Sequence, residues 1–201
     1  YIMSMTSFIG PVRSHNGFIS TGEDSIVTFP GGTLNLTVEG QSGKQITISA
    51  NGGTFNLPAI ISSGDDCNFG MQFSFIVLAD PTSPILFKTG KVADTFYGTI
   101  NYCDDAGGLA GFYHSPGTAN AILGNGGSTG GEAGSAYVLT CIGANAWSIQ
   151  GVAVFPTDDT PATPFITRTA TKKAKPKPPT KKLADPNPMA KANKGKQRKW
   201  A

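Results

Sequence analysis

One pentapeptide in the chain has the spacing of a nucleophilic serine site. Residues 126–130 (GGSTG) match G-x-S-x-G, in which the serine sits on a sharp turn between a strand and a helix. Both flanks are rich in glycine here, which predicts a loop. The hydrolase order also needs a histidine after the serine, and the last histidine of the chain, His114, precedes it. The pattern therefore indicates no catalytic residue.

The same glycine-rich region lacks the cation that a phosphate-binding loop needs. Such a loop closes on G-K-[ST], but no Lys or Arg lies between Lys91 and Arg168. Acidic pairs at 65–66, 104–105 and 158–159 could serve as glycosidase groups or calcium ligands. None fits the EF-hand spacing, and each lies beside glycine or in a proline-containing stretch, where Asp is typical of turns. We expect no nucleotide site, and we rank calcium binding well below a turn role.

Histidine and cysteine are equally sparse. The two histidines, His15 and His114, are isolated, which is a weak basis for metal binding or acid–base catalysis. The three cysteines form no C-x-x-C pair and are typical of small buried thiols in a protein assembled in a reducing cytoplasm. We therefore predict no catalytic residue, no cofactor-binding residue and no metal site, and hence a protein that is not an enzyme.

The strongest chemical signal is a block of positive charge near the C-terminus. Residues 167–201 hold twelve basic residues and one acidic residue, a net charge of +11, whereas residues 1–166 hold four basic and twelve acidic residues, a net charge of −8. Such asymmetry is typical of an interaction arm. The arm could neutralise nucleic-acid phosphates, dock on an acidic protein lattice or remain a solvated tail. Its one aromatic residue, Trp200, does not support base stacking along a strand.

The sequence that precedes the basic arm predicts a series of short strands. Apolar and polar residues alternate, and turn-forming Gly, Asn, Ser and Asp separate the runs, in 33–39 (TLNLTVE), 44–50 (KQITISA), 71–78 (MQFSFIVL), 137–142 (YVLTCI) and 147–155 (WSIQGVAVF). A period of two predicts half-buried antiparallel strands. We predict an all-β fold, an antiparallel β-sandwich or jelly-roll-like barrel with an extended, non-globular C-terminal arm.

Composition divides the chain into four predicted parts. These are an N-terminal segment (1–23), the β-sandwich domain (24–155), a linker (156–166) and the basic arm (167–201). Within the domain, residues 102–134 contain ten glycines and few apolar residues, which predicts a long exposed loop. The arm has too few apolar residues to build a core, and its prolines favour an extended path. No apolar run approaches the roughly 20 residues of a membrane span, so we expect no membrane partner.

The order of several short motifs resembles a recurrent domain of tailed-phage virion surface proteins, which is found in head decoration, head-fibre and tail-fibre-like proteins. The resemblance covers about residues 33–152 and is carried by 42–48 (SGKQITI), 53–59 (GTFNLPA), Gly64, 73–77 (FSFIV), 98–100 (GTI), 136–141 (AYVLTC) and 147–151 (WSIQG). It implies a β-rich, often trimeric assembly on the particle surface without catalytic residues. The basic arm departs from the pattern and leaves the mode of attachment open.

From this resemblance and the arm, we expect a capsid decoration (cement) protein assembled in the host cytoplasm and located on the virion surface. Its expected partners are the major capsid protein, neighbouring copies of itself, or both, with a trimer favoured among homo-oligomers. The alternatives are a spike or fibre protein that binds host surface glycans, and a virion protein that contacts nucleic acid through the arm. The predicted partner-binding residues are Arg168, Lys172, Lys173, Lys175, Lys177, Lys181, Lys182, Lys191, Lys194, Lys196, Arg198, Lys199 and Trp200.

Overall fold

Two β-sheets make up almost all of the regular structure. The computed structural model describes residues 25–64, 67–156 and 159–169. Within them the sheet orders are β1-β3-β5-β10-β11-β7-β8 and β12-β9-β6-β4-β2. The elements are β1 (Ile26–Phe29), β2 (Thr33–Asn35), α1 (Val38–Gln41), β3 (Gln45–Ile48), β4 (Gly53–Asn56), β5 (Gln72–Val77), β6 (Ile85–Lys88), β7 (Thr95–Asp104), β8 (Ala110–His114), β9 (Ala121–Gly124), β10 (Ala136–Gly143), β11 (Ala146–Phe155) and β12 (Phe165–Ile166). The predicted all-β sandwich is confirmed.

The first six strands alternate between the two sheets. Strands β1, β3 and β5 are parallel neighbours in the seven-stranded sheet, and β2, β4 and β6 are parallel neighbours in the five-stranded sheet. The chain therefore winds as a flattened coil, with one strand of each sheet in every turn. Each strand covers the opposite sheet with one face only, which is the physical reason for the period of two in the sequence.

The prediction of antiparallel sheets was wrong, because both sheets are mixed. The coil and the β7–β11 pair supply the parallel pairs, and β10 pairs antiparallel with both β5 and β11. Strands β7–β8, β6–β9 and β9–β12 are also antiparallel pairs. Alternation reports that one face of a strand is buried, and it is the same for either strand direction. Alternating parallel turns also replace the Greek keys that define a jelly roll.

A layer of aromatic rings joins the two sheets. Phe55 of the five-stranded sheet lies with its ring centroid 4.5 Å from that of Phe29 and 5.0 Å from that of Phe75, both in the seven-stranded sheet. Phe87 continues the layer, with ring centroids 4.7 Å from Phe75 and 5.3 Å from Tyr137. All five side chains are buried. Edge and tilted ring contacts at these distances add stability beyond the area that they bury.

Two predicted segments differ locally from the structure. The run 33–39 is a strand only as far as Asn35, because the Thr37 hydroxyl accepts a hydrogen bond from Gly40 N (3.0 Å) and caps the short helix α1. The predicted long loop 102–134 contains the end of β7 and the whole of β8 and β9. Its glycines lie partly inside strands, so glycine content alone gave the wrong prediction there.

The folded domain also extends past the boundary predicted at residue 155. Strand β12, inside the predicted linker 156–166, pairs antiparallel with β9 and buries Phe165. Its two-residue length explains why no alternation is visible in the sequence. The sandwich therefore includes the segment that leads directly into the basic arm.

The aromatic layer gives a test of what holds the sheets together. We expect Phe55→Ala to lower the free energy of unfolding by about 3–5 kcal/mol, because it removes the ring that contacts both sheets and leaves a cavity. Urea unfolding followed by circular dichroism measures this. Phe112→Ala is the matched control, because that ring is 67% exposed, and its cost should stay below about 1 kcal/mol. Equal losses in the two variants would contradict the assignment.

Burial of Tyr137 predicts a loss of stability at alkaline pH. Desolvation raises the pKa of Tyr137 to about 12, partly opposed by a hydrogen bond with the Ser135 side chain. The unfolded chain ionises this tyrosine near pH 10, so the stabilisation is complete below pH 10 and is lost as pH rises towards 12. We expect the free energy of unfolding to fall by about 2–3 kcal/mol over that range from this group. Tyr137→Phe should show a correspondingly smaller fall in a pH series of urea melts.

Candidate functional site

Most of the predicted partner-binding residues lie outside the described part of the chain. Arg168 is the one that the structure describes. The others, for which the partner-binding role stays a prediction, are Lys172, Lys173, Lys175, Lys177, Lys181, Lys182, Lys191, Lys194, Lys196, Arg198, Lys199 and Trp200.

The Arg168 side chain is bound to its own domain. Its Nη2 donates hydrogen bonds to the carbonyl oxygen and to the hydroxyl of Thr89, both at 2.9 Å, and to the carbonyl oxygen of Asn120 at 3.2 Å. Thr89 follows β6 and Asn120 precedes β9, two neighbouring strands of the five-stranded sheet. The guanidinium therefore joins two adjacent strand ends.

The Asn120 side chain holds the backbone of the same residue. Asn120 Oδ1 accepts a hydrogen bond from Arg168 N at 2.6 Å, and Nδ2 donates to the Arg168 carbonyl oxygen at 3.1 Å. The same Nδ2 also donates to the carbonyl oxygen of Val92 at 3.0 Å. Asn120 is 2% exposed, so water cannot readily replace these bonds. We call Thr89, Asn120 and Arg168 the arm root.

The positive guanidinium of Arg168 is hydrogen-bonded to uncharged oxygens. The three acceptors of the guanidinium are two carbonyl oxygens and one hydroxyl. Burial lowers the pKa of Arg168 from its ordinary value, but that value is so high that the group stays charged at physiological pH. Since these contacts involve no carboxylate, added salt should weaken them much less than it weakens a surface ion pair.

Among the described residues, the strands of the seven-stranded sheet place no acidic or basic side chain on its outer face other than one histidine. Asp104 is the only Asp, Glu, Lys or Arg in its seven strands, and it is buried, with Oδ1 accepting from Gly108 N at 2.6 Å. We call this surface the neutral face. Its outward residues are Ile26, Thr28, Gln45, Thr47, Gln72, Ser74, Ile76, Thr95, Tyr97, Thr99, Asn101, Cys103, Ala110, Phe112, His114, Ala136, Val138, Thr140, Ile142, Ala146, Ser148, Gln150, Val152 and Val154.

A groove of about 410 Å³ crosses the middle of the neutral face. Strand register places its lining side chains in two rows across β3, β5, β10, β11 and β7. Ser74 and Ala136 lie at the centre beside the larger apolar side chains of Ile76 and Val138, and amides lie on both sides. The outward residues that line it are Gln45, Ser74, Ile76, Asn101, Ala136, Val138, Gln150 and Val152.

Acidic side chains gather in loops beyond the strands. Burial raises the pKa of Glu132, and the nearby carboxylates of Asp80, Asp105 and Asp159 raise it further. Asp80 Oδ1 also accepts a hydrogen bond from Ala133 N at 2.9 Å. The effect on Glu132 shows that negative charge is concentrated at these loops, which makes them complementary to a cationic segment.

The other sequence motifs lie in loops and strands that do not form a catalytic or metal site among the described residues. In the GGSTG stretch, Asn125 Oδ1 accepts from Gly127 N and Thr129 N and closes a loop between β9 and β10, so strand and helix do not flank Ser128. His114 is exposed on β8. Within the described residues, no three His, Cys, Asp or Glu side chains are grouped so that they could hold a metal ion. The described residues include no helix with the length and hydropathy of a membrane span.

Comparison with protein-family models, with curated proteins and with solved structures finds no match to this chain. The functional argument therefore depends on the residues of the arm root, the neutral face and the groove.

Sequence reasoning missed the partners of Arg168 and the groove. Nothing near Thr89 or Asn120 in the sequence indicates that they meet a residue dozens of positions later. The neutral face had a visible signal, because charged residues make up only 14% of the chain and concentrate in the arm. The composition alone does not show that the uncharged residues share one face of a sheet, because that depends on how the strands pair.

The arm root predicts a specific sensitivity to trypsin. We expect Asn120→Ala to lower the free energy of unfolding by about 1–3 kcal/mol, because it leaves buried backbone groups of Arg168 without partners. It should also speed tryptic cleavage after Arg168, which mass spectrometry of the fragments detects.

Asn56→Ala provides the control for this experiment. Asn56 also donates from its side chain, to Asn35 Oδ1 at 2.7 Å, but at an exposed site. It should leave cleavage after Arg168 unchanged and stability within about 0.5 kcal/mol. Rapid cleavage after Arg168 in the unsubstituted protein would contradict the anchoring role.

Proposed function

We propose that this protein is a structural component of a virus particle: a capsid decoration protein that binds the shell, with its basic C-terminal arm as the anchor. The observation that carries the proposal is the arm root. Strand β12 pairs with β9, and Arg168 is bonded through both its backbone and its guanidinium. An arm that holds a domain on a surface needs such a fixed starting point.

The energetics of attachment through charged side chains explain why the arm root matters. Each exposed ion pair contributes at most about 1 kcal/mol, and salt screens it. Attachment by the arm therefore requires many contacts, together with an aromatic anchor such as Trp200. Neutral hydrogen bonds hold Arg168, the first of the twelve basic residues of 167–201, on the domain.

The charge distribution favours a protein partner over nucleic acid. The arm carries a net charge of +11 and the remainder of the chain −8, so the arm of one copy is complementary to the acidic loops around Glu132 of a neighbouring copy, or to an acidic capsid surface. We propose the major capsid protein and neighbouring copies as partners, in a homo-oligomer for which we favour a trimer. The location that follows is the particle surface.

Removing residues 171–201 tests the anchor. This cut keeps Arg168, whereas a cut at residue 167 would also remove the Arg168 backbone that bonds the buried Asn120 side chain. We expect the truncated protein to keep its melting temperature within about 2 °C. It should no longer attach to virus particles that were assembled without this protein, from a virus whose gene for it has been deleted. Cosedimentation with those particles measures attachment.

A second variant, the full-length chain with the arm lysines changed to glutamine, separates the effect of charge from the effect of length, because it keeps the length and removes the charge. It should attach weakly, and Trp200→Ala should give an intermediate loss. Full occupancy by the truncated protein would contradict the proposal. A steeply salt-dependent affinity of the arm for DNA or RNA, together with undiminished attachment after truncation, would favour the nucleic-acid role instead.

A further inference from the structure

We propose that the groove on the neutral face binds a neutral oligosaccharide. This inference goes beyond the decoration role and does not depend on the arm. Four observations carry it: the absence of charge, amide side chains without internal partners, the shape of the groove and an exposed aromatic ring at its end.

The charge of the surface selects against most other ligands. None of the outward strand residues of the seven-stranded sheet is Asp, Glu, Lys or Arg. A nucleotide, a phosphorylated ligand or an acidic sugar would lose hydration there without gaining a cation in return. A cationic peptide would likewise find no carboxylate. A ligand without net charge meets neither cost.

Two amides of the groove are available to a ligand. No hydrogen bond from the side chain of Gln150 or Asn101 to a described residue is present, and both residues are exposed. Gln72, on the same face but outside the groove, differs, because its Nε2 donates to Thr140 Oγ1 at 3.1 Å. A primary amide offers donors and an acceptor without charge. Sugar hydroxyls need the same combination, since each both donates and accepts.

The shape of the groove suits a short length of chain. Its volume of about 410 Å³ falls within the range of ligand sites. Ser74 and Val138 lie between the amides of Gln45 and Gln150 in one row, and Ile76, Ala136 and Val152 form the apolar part of the next row. The groove crosses several strands, so successive sugar units could contact successive strands.

An aromatic ring stands where the groove reaches the edge of the sheet. Phe112 of β8 lies directly opposite Asn101 of β7, on the same face, and is 67% exposed. An exposed ring of this size offers a flat apolar surface, and the C–H face of a pyranose is the flat apolar part of a sugar. Phe112 can therefore stack on one sugar unit while Asn101 bonds its hydroxyls.

A second copy related by two-fold symmetry fits the groove less well. In a two-fold contact the same surface meets itself, so a concave groove would face a concave groove and leave a void. Stable interfaces have complementary shapes at their centre. An extended ligand fills the groove without that mismatch.

The test is binding of the full chain to neutral hexasaccharides. The probes are hexamers of glucose (α-1,4 and β-1,4), N-acetylglucosamine, mannose and galactose, with a galacturonate hexamer and a sialic-acid hexamer as charged comparisons. We expect at least one neutral probe to bind with a Kd between about 10 μM and 1 mM in calorimetry. The charged probes should bind at least about tenfold more weakly.

Variants connect that binding to the groove. The double variant Gln150→Ala with Asn101→Ala should weaken binding at least about tenfold, since it removes two hydrogen-bonding groups. Gln72→Ala, the matched control, should change the Kd by less than about twofold. Melting temperatures check that every variant is folded.

Three outcomes would overturn the proposal. The first is that no neutral probe binds at about 10 mM, and the second is that the double variant binds as tightly as the unsubstituted chain. The third is that Gln150→Arg breaks an oligomer in analytical ultracentrifugation, because a second copy would then occupy the groove.

Discussion

The coil that alternates the chain between two sheets is the constraint on which the rest of the structure depends. Because the first six strands enter opposite sheets in turn, each of them must bury one face against the other sheet. The ring contacts of Phe55 with Phe29 and Phe75 supply that burial where the sheets meet. Charged residues cannot occupy the inner faces without partners. Outside the strands, the loops and the arm remain as places for them, and the acidic loops around Glu132 are one result.

The buried faces of the strands could be predicted from the sequence, but the strand directions could not. Alternation placed Ile46 with Ile48 and Trp147 with Ile149 on inner faces, and all four are buried. Parallel and antiparallel neighbours impose the same alternation, so the coil left no separate signal. Length set a second limit, since β12 has only two residues and is recognisable only by its partner β9.

Glycine misled the prediction for residues 102–134 for a reason that the structure explains. In β8, Gly111 lies under the ring of Tyr102, and a Cβ there would stand 2.4 Å from the Tyr102 hydroxyl oxygen. The glycine is a packing requirement within a strand, which local propensity reads as a turn. Arg168 shows the same limit for the arm root. A charge count treats it as one of twelve equal cations, and only its contacts with Thr89 and Asn120 distinguish it.

The arm root and the groove occupy different parts of the sandwich, so a partner at one of them need not contact the other. Arg168 follows an edge strand of the five-stranded sheet, whereas the groove lies on the outer face of the seven-stranded sheet. In the proposed function, contacts at the arm root would leave that face uncovered. The two surfaces also respond differently to conditions. The proposed attachment through the arm lysines would weaken with salt, whereas binding in a groove lined by uncharged side chains should not. Under the proposed function, the cationic arm would not compete for the groove, because no carboxylate lines it.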